Sequence, residues 1–600
     1  MPTTSLRDAD LRPYQAHFLF SAAKPLDAKG VSALFASLGP LIDHGVQDVH
    51  QHAKLGERNA PRLFGTAKVG WMTYQRKVPV SWATGPHAPW NEEHHWAAIA
   101  AQGALVSIVV TENALASRLH KAAAALPAWK GLSRISADKL EATLVQGSAK
   151  TLWLAGIHRS VSTKADSKVL MGRDLEASLD ALGDQTFHYT ATRCDGPPDI
   201  FTSKSVGVTP RQSKVWLGPS SHWEIFVQNT ERLLELLEAK FKPRIAYPIL
   251  ARPGNSLVGV SDAFDIGLER AELELDPNHP RSERLQELAL SATWSVVPAA
   301  GADFQVDISV QGKQHTISIH LEPKEEQIAL EAKVVKTSDP DEANDVVQLL
   351  ERRDIVKVYY ESAHTYSDGL VFKVALRDYP FDVRGEDFTG FDVTKEKPMV
   401  DDGAGKKKLD LTQIGAAGDD SLFTWIFRNY PDGWLWCDDG SGEMADFLHL
   451  TSAKKNTKRV LSFIHAKAAH SALSSRKISV SAYEVVCAQA LKNLRFLEQT
   501  NLWESLAQKI KTDKIGRCWK DGKSQGINSP AFQKALADVK YSELSHKVVV
   551  LQPHVRASLL RKASPTPGDR RQAGLLYTLL HGVKADVDRM GATFEVVVAK

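Results

Sequence analysis

Between Trp434 and Gln489 the chain places charged residues inside runs that otherwise read as strands. Trp434-Leu435-Trp436-Cys437 passes through Asp438-Asp439 and a Gly440-Ser441-Gly442 turn into Glu443-Met444-Ala445-Asp446-Phe447-Leu448-His449-Leu450. Aromatic and apolar runs joined by a glycine-rich turn predict a hairpin. A third apolar run over residues 460–468 carries His465 and Lys467, and a helical pattern follows over 481–499. Alternation along a strand puts His465 and Lys467 on one face. Asp446 and Lys467 are the residues with chemical potential, because a carboxylate or an ammonium in a buried strand is costly unless it is paired or engaged with a metal. An ordinary cross-strand ion pair would meet that condition with no chemistry.

An acid on one strand, a lysine on its neighbour and a helix after them resemble the PD-(D/E)xK nuclease superfamily, the restriction-endonuclease-like fold. The resemblance is confined to the C-terminal third of the chain. It implies that Asp446 holds a divalent metal, Mg2+ or Mn2+, and that Lys467 assists the attacking water. Two residues before the lysine the family has an acid, and this chain has His465. Imidazole is a poor magnesium ligand. A second carboxylate is then expected from Glu443 in the turn or from Glu484 on the following helix; otherwise the metal is a softer one such as manganese, or the site is degenerate. Asp420, at the start of the preceding helix, is a more distant candidate. Gln489, further along the helix that carries Glu484, is expected to face the same cleft and contact DNA.

The elements that must position these groups form, by expectation, an α/β multidomain protein. Residues 1–245 read as an N-terminal α/β domain, with helical patterns over 28–53, 92–102, 112–126 and 223–241 and strands over 104–110, 151–158 and 186–192. Residues 246–395 read as a β-rich middle domain. One hairpin joins 304–310 to 316–320, and another joins 356–360 to 370–374 through a turn at 365–369. A helix over 340–352 lies between them. Residues 396–600 are expected to form the restriction-endonuclease-like domain: three strands, a helix, a strand over 546–553, a helix over 570–590 and a last strand over 593–598, in one mixed sheet flanked by helices.

Other motifs are weaker. His50-x-His52 and Glu92-Glu93-His94-His95 have metal-ligand residue types without a geometry to support a ligand set. The loop 159–173 carries Arg159, Lys164, Lys168 and Arg173, which read as solvated cations or as phosphate contacts. The segment Gly516–Ser524 imitates a phosphate-binding loop but has five residues between its glycines, which excludes an ATP site of that kind. Its Arg517, Lys520 and Lys523, beside Trp519, suit contact with a DNA backbone instead.

Composition bounds the remaining classes. With 43% hydrophobic and 24% charged residues the chain reads as soluble and globular, and a net charge of +3 over 600 residues leaves a polyanion only local basic patches to meet. Four widely spaced cysteines exclude a disulfide framework and a paired-cysteine zinc site, and fit a reducing cytoplasm. No apolar run is long enough to span a bilayer, so no membrane partner is expected. The expected function is a metal-dependent DNA endonuclease of a restriction or anti-phage system. The alternative is a non-catalytic nucleic-acid-binding or assembly subunit with a degenerate nuclease fold. DNA is the expected partner; a separate ATPase or sensor subunit and a second copy of the chain are further ones.

Overall fold

In the computed structural model the chain divides into two compact units, residues 1–177 with 184–375, and residues 178–183 with 376–600. The structure describes all residues except 1–5, 45–52, 81–82, 84–86, 88, 113–114, 117–118, 120–125, 159–163, 198–200, 202–203, 255, 269–281, 325–326, 353–354, 402–406, 441, 456, 513–516, 527–529 and 563. His50, His52 and Arg159 lie outside the described residues. The expected boundary at 245 falls inside the first unit, and the boundary between units lies at 375 rather than 395.

The first unit contains an eleven-stranded antiparallel sheet, a five-stranded sheet and a four-stranded sheet. The segment expected to be a helix over 92–102 is instead the strand Trp90–Gln102. Its alanines have strong helix propensity, but Ala97, Ile99 and Ala101 join an apolar core on one face, while Trp96 packs edge-on against Trp223 and Phe226. Burial on both faces overrides the local preference. The amphipathic helix is found at Trp223–Glu238, and the expected helix over 340–352 at Pro340–Leu350. The turn expected at 365–369 contains a strand of its own, His364–Ser367, which pairs with Val356–Tyr360 and Leu370–Lys373. Lys168 pairs with Asp184 at 2.8 Å and stands 4.4 Å from the Phe187 ring centre, and Lys164 bonds to Thr186, so these two cations are engaged within the fold. His95 lies on the Trp90–Gln102 strand with Nε2 3.1 Å from Glu93, and no metal cluster forms there among the described residues.

The second unit is built on one eight-stranded mixed sheet. Its strands are β1 (Arg384–Glu386), β2 (Trp434–Cys437), β3 (Phe447–Leu450), β4 (Arg459–Ala466), β5 (Arg517–Lys520), β6 (Lys523–Gly526), β7 (Leu544–Arg556) and β8 (Thr593–Ala599), in the order β1-β8-β7-β4-β3-β2-β5-β6. β2, β3 and β4 form an antiparallel meander, with Trp436 opposite Leu448 and Phe447 opposite Ile464. β4, β7, β8 and β1 run parallel, which requires crossover connections. Helices supply them: α1 (Leu422–Asn429) precedes the meander, α2 (Ser481–Asn493), α3 (Gln499–Thr512) and α4 (Pro530–Ala537) lie between β4 and β7, and α5 (Pro567–Arg589) lies between β7 and β8.

Both faces of this sheet are covered. Leu448, Phe463, Val550 and Val596 meet α2, α3, α4 and α5 on one face; Phe447, Ile464, Val549 and Val597 meet α1 on the other. The continuous apolar run Val548-Val549-Val550-Leu551 follows from this double burial. Each buried Leu or Val adds roughly 1.5–3 kcal/mol to folding.

The near-miss phosphate loop is the β5–β6 hairpin. Asp521 and Gly522 occupy its turn with φ of 48° and 74°, the left-handed pair a two-residue hairpin turn demands. The cysteines are all buried free thiols, Cys194 in the first unit and Cys437, Cys487 and Cys518 in the second. Among the described residues no helix is long and apolar enough to cross a membrane.

Candidate active site

Residues 438–446 connect β2 to β3 and fold back over the sheet end. Gly440 and Gly442, at φ 149° and 72°, permit the reversal. The Asp438 amide donates to the Asp446 carbonyl at 3.0 Å, and the Met444 amide donates to Asp438 Oδ2 at 2.8 Å. This closed turn brings together one carboxylate oxygen from each of Asp439, Glu443 and Asp446, all within 4.8 Å of one another. Asp439 and Asp446 are each 4% exposed, and Glu443 is half-buried.

Cations surround the acids. The loop before α1 presents Glu396 and Lys397; Lys397 Nζ is 2.6 Å from Asp439 Oδ1 and 3.5 Å from Glu396 Oε1. Lys467 Nζ is 2.9 Å from Glu396 Oε2, and Lys509 of α3 is 3.1 Å from Asp438 Oδ1. The loop is fixed by the Phe423 amide of α1, which donates to the Glu396 carbonyl at 3.1 Å, and by Lys395, 3.1 Å from Asp419 and 2.8 Å from Asp420.

Burial pushes the Asp446 carboxyl up to about 8, and the fields of Glu443 and Glu396 add to it; the Ala466 amide, donating to Oδ2 at 2.8 Å, and Lys397 oppose it. For Lys397 burial works against the charge, but the hydrogen bond to Asp439 and the fields of Asp439, Asp446 and Glu396 prevail and raise its pKa. The donor set is entirely carboxylate oxygen, the chemistry that Mg2+ or Mn2+ takes. The residues fit such an ion.

The expected residues separate into those brought together and those kept apart. Asp446 and Glu443 meet; Asp446 immediately precedes β3, and Lys467 follows the neighbouring β4. Alternation does not carry Lys467 onto the face of His465, because β4 ends at Ala466 and the Lys467 side chain turns to Glu396. His465 is 2% exposed, and burial, then the Lys492 charge on α2, pushes its pKa down to about 3. It is a neutral ring outside the acidic cluster. Glu484 is exposed on α2 and outside the cluster, while Gln489 is half-buried beside the helix's apolar face. Asp420 is taken by Lys395.

Lys520 and Lys523 oppose each other across the β5–β6 hairpin, with Lys520 5.4 Å from the Trp434 ring centre. That is the far end of β2 from Asp438 and Asp439, roughly 13–16 Å along the chain. Trp519 is buried against Phe427 and offers no face for stacking on a base.

Asp439, Glu396 and Lys397 were not anticipated. Paired aspartates directly after an apolar strand were a readable signal for the first. Glu396 and Lys397 sit in an irregular loop far upstream, with no local pattern to mark them. Comparison of the chain with protein-family models, curated proteins and solved structures gives no match.

Proposed function

We propose that the chain is a metal-dependent nuclease that hydrolyses phosphodiester bonds in DNA. The observation that carries this reading is the convergence of Asp439, Glu443 and Asp446 at the end of the β2–β3–β4 meander, with Lys467 held beside them through Glu396. The sheet supports it as well: an antiparallel meander, a helical crossover and further parallel strands are what the nuclease resemblance implies for residues 396–600. A role in restriction or phage defence follows by analogy of fold alone.

Asp439, Glu443 and Asp446 would hold the cation. A bound Mg2+ or Mn2+ lowers the pKa of water and neutralises charge that develops on the phosphoryl oxygens. Lys467 donates hydrogen bonds to those oxygens or orients the water, and Glu396 is its positioning residue, fixing the ammonium from one side. Lys397 holds Asp439 in place through an ion pair of 2.6 Å. The reading is tested by incubating the purified chain with plasmid DNA and Mg2+ or Mn2+. Cleavage that Asp446→Asn abolishes supports it.

A second reading has a specific observation behind it. His465 stands where the family has an acid and is buried outside the cluster, which fits a binding or assembly subunit that has lost catalysis. DNA binding without cleavage under either metal selects that reading.

A further inference from the structure

Beyond Lys467, residues 468–480 run back along the end of β7, and four cationic or protonatable side chains gather there: His470, Arg476, His554 and Arg556. Arg476 is spent on backbone. Its Nε donates to the His554 carbonyl at 2.6 Å, Nη2 to the Pro553 carbonyl at 2.9 Å and Nη1 to the Leu473 carbonyl at 3.0 Å. It therefore staples the loop to the strand end without neutralising its own charge.

The other three are left with unused capacity. The His470 and His554 rings are 5.4 Å apart between centres. His554 is 6% exposed, and its Nδ1 has no hydrogen-bond partner; the buried Nε of Arg556 has none either. Burial, then the charges of His470 and Arg476, lowers the pKa of His554, while burial and then Arg556 do the same to Arg476. Like charges and the unpaired buried Nε of Arg556 in one place carry a cost that a bound anion removes.

The cluster adjoins the candidate active site. The Lys467 amide donates to the Leu551 carbonyl at 3.0 Å, Gln552 Nε2 donates to the Ala468 carbonyl at 3.2 Å, and the His554 amide donates to Gln552 Oε1 at 3.0 Å. The two segments that carry Lys467 and the basic groups are thus tied side by side.

We propose that His470, His554 and Arg556 form a subsite for a backbone phosphate of the DNA strand held at the carboxylate cluster, with Arg476 as its positioning residue. This rests on the nuclease reading. Guanidinium and imidazole donors suit phosphate oxygens, and such contacts set register along the duplex without reading sequence.

The test is fluorescence anisotropy of a labelled DNA duplex with the full chain in EDTA, where no turnover occurs, across a salt series. Arg556→Gln and His470→Gln are each expected to weaken binding about tenfold for any duplex sequence, and Arg556→Gln to lower the salt slope by about 1. His470 is exposed, so its replacement leaves the core intact, and an unchanged thermal melt checks the Arg556 variant. Wild-type affinity and slope in both variants overturn the subsite. If the variants lose affinity while the wild-type chain never cleaves with Mg2+ or Mn2+, the subsite stands and the nuclease reading falls. If the wild type cleaves and both variants bind normally, the subsite alone falls.

Discussion

Replacing Asp446 by Asn should change the number of protons released when a cation binds. The Asp446 carboxyl, raised to about 8 chiefly by burial, carries its proton at pH 7 in about nine molecules of ten. A divalent ion takes the ionised form, so binding must expel that proton. Titration calorimetry of metal-stripped protein with Mn2+, run in buffers of different ionisation enthalpy, is expected to show about 0.9 proton released per ion at pH 7 and about 0.1 at pH 9. Apparent affinity should rise about tenfold per pH unit below 8 and level off above it. In Asp446→Asn the amide oxygen can still accept from Ala466, but the charge is gone, so Mn2+ should bind weakly and release no proton. Tight binding at pH 7 without proton release, or the same release from Asp446→Asn, refutes the assignment of Asp446 as a buried ligand.

The same carboxyl makes metal-free stability depend on pH. Its folded pKa lies above the unfolded value near 3.8, so its contribution is complete below that value and is lost as pH rises through about 8; melting of residues 376–600 should weaken over this window by on the order of 5–6 kcal/mol, and Asp446→Asn should flatten the profile. Lys467→Ala should slow DNA cleavage by about 10²–10³-fold, on the scale of one lost oxyanion donor, while DNA affinity measured by anisotropy stays within a few-fold. Glu396→Gln should lower kcat as well, because it frees Lys467 from its 2.9 Å anchor, and single-turnover cleavage rates report that loss directly. Leu580→Ala, at a fully buried position of α5, should destabilise the second unit by about 2–5 kcal/mol in denaturant melts, away from the acidic cluster.

The meander, the crossover helix and the late parallel strands were legible because each carries its own apolar period, and because sequential strands tend to be neighbours in space. Asp446 and Glu443 were legible for a related reason, as acids within or beside an apolar strand. What failed was what tertiary contact decides. Glu484 and Gln489 were expected from the resemblance and from their place on the helix after β4, yet the face of α2 that packs on the sheet belongs to Tyr483, Val486 and Ala490. Glu396 and Lys397 reach the site from an irregular loop anchored on α1, a relation that no spacing encodes. The error over Trp90–Gln102 has the same origin, since alanine and glutamate favour a helix until both faces are buried. Asp521-Gly522 was a readable hairpin turn, obscured by its likeness to a phosphate-binding loop.

The buried thiols make each unit report on its own opening. Burial pushes the Cys194 thiol up to about 11 and Cys487 up to about 12, and it raises Cys437 as well. Alkylating reagents need the thiolate and a path to it, so a folded chain resists them. Labelling in a denaturant series, followed by peptide mass spectrometry, would read Cys194 for the first unit and Cys437 and Cys487 for the second. Two separate labelling curves would give the unfolding free energy of each half in the intact chain, without cutting it apart. Because Cys437 borders the acidic turn, added Mn2+ should delay its labelling and that of Cys487 while leaving Cys194 unchanged.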